Sequence, residues 1–269
     1  MTSDGTAGGW LIDAHVHLHA GVAAGDLLDH AARGMAGEAA RAGLAPSAGM
    51  LMLTESAGVE SLDAFRAAEG WTVEPTGEAV SLAARRDGCL PVFVVAGRQI
   101  VTADGLEVHA LGTLAQIADG QAMAATLAAV RGAGAVAVLP WGVGKWLGRR
   151  GAIVTALAAD VAAEPGLCLA DSGVRAWPLA RPSQLAAAEV AGRSVLAGSD
   201  PLPLAGEVSR VGRYGVVAPA LDPAAPLAAF RNWLSGGQRP AVYGRLERTD
   251  RFLRHQLAMQ LAKRLQSRR

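Results

Sequence analysis

The chain has few of the residues that mark several common protein classes. Its 269 residues include two cysteines, Cys89 and Cys168, which lie far apart in apolar surroundings. This spacing excludes a disulfide framework and argues against a thiolate zinc site, as expected in a reducing compartment. Aromatic residues make up only 4% of the chain. The formal charge of +1 provides no global field that would attract nucleic acid or an anionic membrane.

Long apolar segments and targeting signals are also missing. No apolar run reaches the length of about 18 residues that a membrane span requires without a glycine or a charge. The first residues, MTSDGTAGGW, have neither the basic region nor the apolar region of an export signal. We therefore expect a soluble, cytoplasmic protein without a membrane partner.

What is present is a hydrophobic content of 51%, arranged as short apolar runs that alternate with Ala-rich helical patterns. This alternation is typical of repeated βα units around a parallel sheet. It predicts one α/β domain over residues 1–269, a distorted TIM-like (β/α)7 barrel with its core at about 10–220 and a C-terminal helical extension at about 224–266. The predicted strands are 10–17, 49–53, 91–96, 135–139, 166–170, 194–198 and 215–219, and the predicted barrel helices are 26–43, 60–69, 77–88, 114–131, 151–163 and 183–191.

Two segments depart from the βα pattern. Residues 97–112 contain two short extended pieces around Ala-Asp-Gly, which predicts a β-hairpin. The last helix, at about 250–266, has a stripe of leucines that we expect to dock on the barrel, formed by Leu253, Leu257, Leu261 and Leu265. Its basic residues then form a solvated outer face, so nucleic-acid binding is not expected.

The stretch Leu11–His19, LIDAHVHLH, contains three of the six histidines. In a strand, residues i and i+2 point the same way, so His15 and His17 project from one face about 7 Å apart and can reach a common metal. In an α/β barrel this face belongs to the C-terminal mouth, where active sites are built. The alternative is that these histidines are satisfied polar groups at a strand end.

Other predicted strands and the hairpin also end in side chains that can bind metal. These are Glu55, His109, Asp171 and Asp200. Imidazole and carboxylate groups together suit zinc, manganese and iron. Glu55 and Asp171 are equally good candidates for helix N-caps after their strands.

The order of these motifs resembles the polymerase and histidinol phosphatase (PHP) family of metal-dependent phosphoesterases. The resemblance covers roughly residues 11–203 and runs through Asp-x-His-x-His, Thr-Glu-Ser, a Gly-centred strand end, Val-His-x-Leu-Gly, Leu-Pro-Trp-Gly and Gly-Ser-Asp. It implies a distorted seven-stranded barrel that holds up to three divalent metals, which activate a water for attack on a phosphate ester. The first motif is also shared with the amidohydrolases.

The chain departs from the family pattern at four ligand positions, which hold Ser56, Gln99, Leu139 and Leu202. By motif matching, the remaining metal ligands are His15, His17, His109 and Asp200, with Glu55 as a substitute. This set implies fewer than three ions. Asp200 and Glu55 are then the expected catalytic carboxylates, and Asp13 is expected to orient a ligating histidine from behind.

A glycine-rich loop at 141–150, WGVGKWLGRR, precedes a predicted helix. Glycines permit close backbone approach, and helix N-terminal amides with nearby cations form a cradle for anions. Lys145, Arg149, Arg175 and Arg210 all follow predicted strands and are predicted to bind the substrate phosphate. Alternatively, they are solvated loop charges paired with Glu207 and its neighbours.

These patterns predict a metal-dependent hydrolase, phosphoesterase-like, that acts on a small anionic substrate through a metal-activated water. One alternative is a catalytically inactive PHP-like barrel that serves as an anion-binding or regulatory module, as the four replaced ligands indicate. The other is an amidohydrolase-type hydrolase of C–N or lactone bonds. The sequence leaves open the substrate, the metal and the oligomeric state.

Overall fold

The computed structural model describes residues 8–266. The strands are β1 (Trp10–Val16), β2 (Ala48–Leu53), β3 (Thr72–Pro75), β4 (Ser81–Arg85), β5 (Val92–Val95), β6 (Gly97–Val101), β7 (Glu107–Leu111), β8 (Val136–Pro140), β9 (Cys168–Ser172), β10 (Val195–Gly198), β11 (Tyr214–Ala218) and β12 (Ala241–Gly244). The helices are α1 (Ala24–Ala42), α2 (Leu62–Arg66), α3 (Met123–Gly132), α4 (Gly148–Ala159), α5 (Ser183–Val190), α6 (Pro226–Ser235) and α7 (Thr249–Gln266), with a 3-10 helix at Glu207–Arg210.

The strands form two mixed sheets, so the predicted closed (β/α)7 barrel is wrong. One sheet has seven strands in the order β12-β11-β1-β2-β5-β4-β3, and the other has five in the order β10-β9-β8-β7-β6. Pairing is parallel along β1-β2-β5 and along β8-β9-β10, and antiparallel elsewhere.

Competition for strand edges explains why the barrel does not close. The two edges of β1 are paired with β2 and β11, and those of β5 are paired with β2 and β4. A strand has only two hydrogen-bonding edges, so over these paired stretches neither β1 nor β5 can continue a ladder into the five-stranded sheet. The sheets instead meet at side-by-side contacts, with β10 against β1 and β6 against β2.

The inner core lies between the sheets. It contains apolar side chains from both of them and from α6, among them Ile12, Phe93, Leu196 and Phe230. Helices α1 and α2 cover the outer face of the first sheet, and α3, α4 and α5 cover that of the second. This arrangement gives each strand of the parallel pairs two buried faces, which explains their nearly continuous apolar sequences.

Most predicted elements are present, and the helix predicted at 77–88 is an exception with a tertiary cause. Each of the seven predicted strands overlaps an observed one, and the hairpin at 97–112 is β6 and β7. The helix predicted at 77–88 is wrong, because this segment contributes to the β3–β4 hairpin. Its Ala-rich sequence favours a helix, but Leu82 and Ala84 are buried by pairing of β4 with β5, so tertiary contacts override the intrinsic preference.

The predicted docking of the leucine stripe of α7 is also wrong. Leu253 and Leu257 are 61% and 63% exposed. The side chains of Leu261 and Leu265, the other two members of the predicted stripe, lie outside the described residues. Helix α7 therefore presents a different face to the rest of the chain. Across residues 8–266, no helix combines the length and the hydropathy needed to cross a membrane.

Candidate metal site

The candidate site lies where β10 of one sheet meets β1 of the other. The backbone N–H of Asp200, just after β10, donates to the carbonyl oxygen of His15 at 2.9 Å. Gly198 permits this approach, because a Cβ at that position would lie 2.4 Å from the Cβ of His15. The close contact brings two residues that are distant in sequence to one point.

An irregularity in β1 determines which way its histidines point. Trp10, Ile12 and Ala14 belong to the inner core, whereas Leu11 and Val16 belong to the outer one. Regular alternation would put Val16 on the inner side, but the register with β2 shifts between Asp13 and Val16. Such a bulge re-aims the residues that follow it, and here it turns His15 towards the inside.

Three side chains converge at this point. The Nε2 atoms of His15 and His17 are 3.0 Å apart, and the Nε2 of His15 is 3.4 Å from Oδ1 of Asp200. The potential ligand atoms of the three residues all lie within 4.8 Å of one another. For ligand bonds of about 2.1 Å, two atoms on one ion are about 3.0 Å apart at 90° and about 3.4 Å apart at the tetrahedral angle. These two separations are compatible with a shared divalent ion, and the contact of 3.0 Å is also a hydrogen-bond distance between the two imidazoles.

Asp200 is held in a conformation that few residues adopt. Its φ of 50° is the one positive value for a non-glycine residue in the described part of the chain. Aspartate tolerates this left-handed region better than most residues, and such strain is concentrated at functional sites. The hydroxyl of Ser172 donates to Oδ2 at 2.9 Å, which leaves Oδ1 directed at His15.

Burial and mutual charge set the protonation of this cluster. Burial lowers the pKa of His15, and burial together with the neighbouring His15 lowers the pKa of His17 to about 3. Burial by itself would raise the pKa of Asp200, but its interactions with His15 and His17 and the hydrogen bond from Ser172 outweigh burial, and the pKa is lowered. The cluster thus offers neutral imidazoles and an ionised carboxylate, which are the forms that bind metal.

Asp13 supports the site through the main chain. Its Oδ1 accepts hydrogen bonds from the backbone N–H groups of His15 at 3.3 Å and Ser199 at 2.8 Å, and its Oδ2 accepts one from Gly212 at 2.9 Å. Complete burial raises the pKa of Asp13 to about 6, although these bonds act in the opposite direction. Asp13 therefore positions the backbone of β1 against β10, and it does not contact the imidazole ring it was expected to orient.

His109 packs against the cluster without entering it. Its ring lies edge-on to that of His15, with 4.2 Å between the centroids. Both ring nitrogens are buried without a hydrogen-bond partner. Burial lowers the pKa of His109 well below its usual value. The structure brings this predicted ligand to the site, yet its nitrogens are not part of the group of converging ligand atoms.

Glu55 is turned towards the start of α2. Its two carboxylate oxygens accept the backbone N–H of Ser61 at 3.1 and 3.0 Å, and Arg98 lies 3.6 Å away. Burial raises the pKa of Glu55. The residue lines the same cavity as the histidines. Its carboxylate is engaged there and not at the three-residue cluster, but the N-cap of α2 is Ser61, so Glu55 is not the N-cap residue that the alternative predicts.

The cluster opens into a cavity of about 690 Å³. This volume is in the usual range for small-molecule sites, roughly 300–1,000 Å³. Lys145 from the glycine-rich loop lines the cavity and forms an ion pair with Glu107 of β7. Ser56, Gln99 and Leu202 line it as well.

The other three predicted phosphate-binding residues do not line this cavity. Arg149 is exposed and pairs with Asp104 at 3.2 Å. Buried Arg175 donates to both carboxylate oxygens of Asp171, at 2.9 and 2.6 Å. Buried Arg210 pairs with Glu247 and donates to the carbonyl oxygen of Gly173 at 2.6 Å. All three are paired, as the alternative predicts, but only Arg149 is solvated, because Arg175 and Arg210 are buried.

Two groups of cavity residues were not found from the sequence. Glu107 lies two residues before His109 on β7, so strand alternation places both on the same face, and this signal was available. Gln256, Met259 and Gln260 of α7 also line the cavity. The leucine spacing of α7 pointed to a different, adjacent face of the helix, so the sequence pattern was misleading there.

Comparison with known proteins indicates the fold only. No family model matches the chain, and no curated protein matches it. Among solved structures, the crystal structure of PsfC from Pseudomonas syringae PB-5123 is similar, with a TM-score of 0.50 and 15% sequence identity over 96% of this chain and 98% of that chain. At this identity the similarity concerns the arrangement of the chain and carries no statement about activity.

Proposed function

We propose that this protein is a metal-dependent hydrolase, phosphoesterase-like, whose divalent ion is held by His15, His17 and Asp200. The observation that carries the proposal is the convergence of these three side chains, with ligand atoms 3.0 and 3.4 Å apart. Three protein ligands with an open position are the pattern of catalytic metal sites, whereas structural sites are closed by four.

The number of ions follows from the residues around the cluster. Within residues 8–266 this is the one group of three or more histidine, cysteine or acidic side chains close enough to share an ion. Leu139 and Leu202 cannot bind metal, and Gln99 offers only a neutral carbonyl oxygen. We therefore propose a single ion, which is zinc, manganese or iron because imidazole and carboxylate ligands suit these metals.

A divalent ion bound there supplies Lewis acidity, which polarises a phosphoryl oxygen and makes water a usable nucleophile at neutral pH. The protein residues position the reacting centre and orient the substrate. Asp200 and the two histidines position the reacting centre at the bottom of the cavity, while Lys145 is the one lysine or arginine among the described lining residues. Its ammonium group orients the anionic part of the substrate, and Glu107 holds that ammonium group in place.

Elemental analysis of the purified protein tests the metal. We expect about one equivalent of a transition metal in the wild type, and at least a tenfold loss of affinity in His15→Ala, His17→Ala and Asp200→Asn, since each removes one of three ligands. His30→Ala is the matched control, because His30 lies on α1 outside the cluster. Equal metal content in all five proteins would refute the assignment of the ligands.

Hydrolysis tests the reaction class. With the native metal restored, p-nitrophenyl phosphate should be hydrolysed by the wild type and not by His15→Ala. The replaced ligands at Ser56, Gln99, Leu139 and Leu202 motivate a second candidate, a module that binds anions without turnover. That candidate predicts binding of inorganic phosphate without hydrolysis of any ester, so the two assays together separate the candidates.

A further inference from the structure

Helix α7 forms one wall of the cavity above the candidate metal site. Gln256, Met259 and Gln260 line it together with His15, His17 and Asp200. Residues at i, i+3 and i+4 lie on one face of a helix. Leu253 and Leu257 are exposed on another face. The helix thus presents two amides and a thioether to the cavity and leucines to solvent.

Ion pairs attach this helix to the rest of the chain and neutralise charged side chains of the helix. Buried Glu207 accepts a hydrogen bond from Arg251 at 2.6 Å and lies 3.3 Å from the Nε2 of His255. Arg251 also lies 3.6 Å from Glu247, which pairs with Arg210. None of these charged groups is among the residues that line the cavity. The contribution of α7 to the described cavity wall is therefore electrically neutral.

We propose that α7 determines substrate specificity, with Gln256 and Met259 contacting the part of the substrate that is remote from the metal. The proposal rests on the proposed function, because the metal and Lys145 are taken to bind the anionic group. An amide both donates and accepts hydrogen bonds, and a methionine side chain packs against apolar edges. The wall therefore suits a phosphate monoester whose other half is neutral and carries hydroxyl groups.

The energetic reason for discrimination lies in the cost of unpaired polar groups. A site that hydrogen-bonds a substrate hydroxyl rejects an analogue without it, since the amide then loses its partner. An apolar ester would leave the amide of Gln256 facing a hydrocarbon surface. The expected preference from one such hydrogen bond is about tenfold in kcat/KM.

The test compares two hydroxylated esters, ribose 5-phosphate and glucose 6-phosphate, with phenyl phosphate, which lacks hydroxyl groups. Gln256→Leu removes the amide and keeps a similar volume and a good helix former. We expect about a tenfold fall in kcat/KM for the better hydroxylated ester and a change of less than about twofold for phenyl phosphate. Met259→Ala should raise KM for both classes.

Leu253→Gln is the matched control, because it changes a side chain on the exposed face of the same helix and should alter neither class of ester. Metal content is measured for each variant and should stay at the wild-type level. A loss of metal would indicate a defect in the metal site, whereas an unchanged metal content with an unchanged preference for esters would contradict the role of α7 in specificity. If the wild type lacks metal or turnover, the affinities for ribose 5-phosphate and phenyl phosphate are measured by calorimetry and compared in place of kcat/KM. An unchanged ratio between the two ester classes in Gln256→Leu, or a wild type that does not prefer the hydroxylated esters, would overturn the proposal.

Discussion

Replacing Arg175 with methionine separates a structural role from substrate binding. The guanidinium of Arg175 donates to both oxygens of Asp171 and, at 2.7 Å, to the carbonyl oxygen of Leu179, and the residue is 5% exposed. In Arg175→Met the carboxylate of Asp171 stays buried and keeps the hydroxyl of Tyr214 at 3.1 Å and the N–H of Ser172 at 3.0 Å. Loss of one partner of a buried ion pair costs about 3–5 kcal/mol of unfolding free energy.

The assay is equilibrium unfolding in urea. Because a domain is stable by only about 5–15 kcal/mol, a loss of this size shifts the midpoint clearly. The dependence of the unfolding free energy on urea concentration should stay the same, since the surface exposed on unfolding hardly changes. The double variant Asp171→Leu/Arg175→Met removes both charges, so it should be less destabilised than the sum of the single variants, by about 2 kcal/mol.

Arg149→Met provides the control for an arginine in an exposed ion pair. Its side chain is 87% exposed, and the pair with Asp104 is worth about 0–1 kcal/mol. The structural assignment of Arg175 fails if Arg175→Met loses less than about 1 kcal/mol while KM for phenyl phosphate rises about tenfold. That combination is the signature of a residue that binds the substrate.

Three further outcomes are expected. Cys168 is buried and burial raises its pKa to about 12, so a thiol reagent should modify only Cys89 in the native protein and both cysteines in denaturant. Glu78 accepts the backbone N–H groups of the second and third residues of α6 at 2.8 Å each, so Glu78→Ala should lower the unfolding free energy by about 1–2 kcal/mol in urea titrations. Glu74 lies in an exposed ion pair and serves as the control, so Glu74→Ala should lower the unfolding free energy by less than about 0.5 kcal/mol. Equal losses in the two variants would refute the capping role of Glu78. Lys145→Met should raise KM for phosphate esters at least tenfold without loss of metal, and reduced metal content would place Lys145 in the support of the cluster instead.

The histidine pair shows how far local periodicity reaches. The spacing of His15 and His17 predicts that they share a face, and their Nε2 atoms are indeed 3.0 Å apart. Which face they share depends on the bulge in β1, which is produced by pairing with β2 and leaves no mark in the alternation of β1 itself. The same limit applies to α7, whose leucine spacing predicts a stripe but not whether another element covers it, and Leu253 and Leu257 are exposed.

The predicted cations show a different limit. Lys145, Arg149, Arg175 and Arg210 all follow strands, and the sequence treats them alike. Three of them are neutralised away from the cavity because the nearest carboxylates are those of Asp104, Asp171 and Glu247. Lys145 is also paired, with Glu107, but both members of that pair line the cavity, and these surroundings are built from residues that are distant in the chain.

The sequence by itself determined the positions of seven strands, the β6–β7 hairpin and the shared face of His15 and His17, because each depends on the residue pattern over a few neighbours; it did not reveal β3, β4 or β12. Only the tertiary structure decided that β1 and β5 pair on both edges within one sheet. It also decided that Asp200 contacts His15 where the two sheets meet, and that α7 lines the cavity. These features depend on which distant segments compete for the same edge or surface, and that competition is resolved only when the whole chain packs.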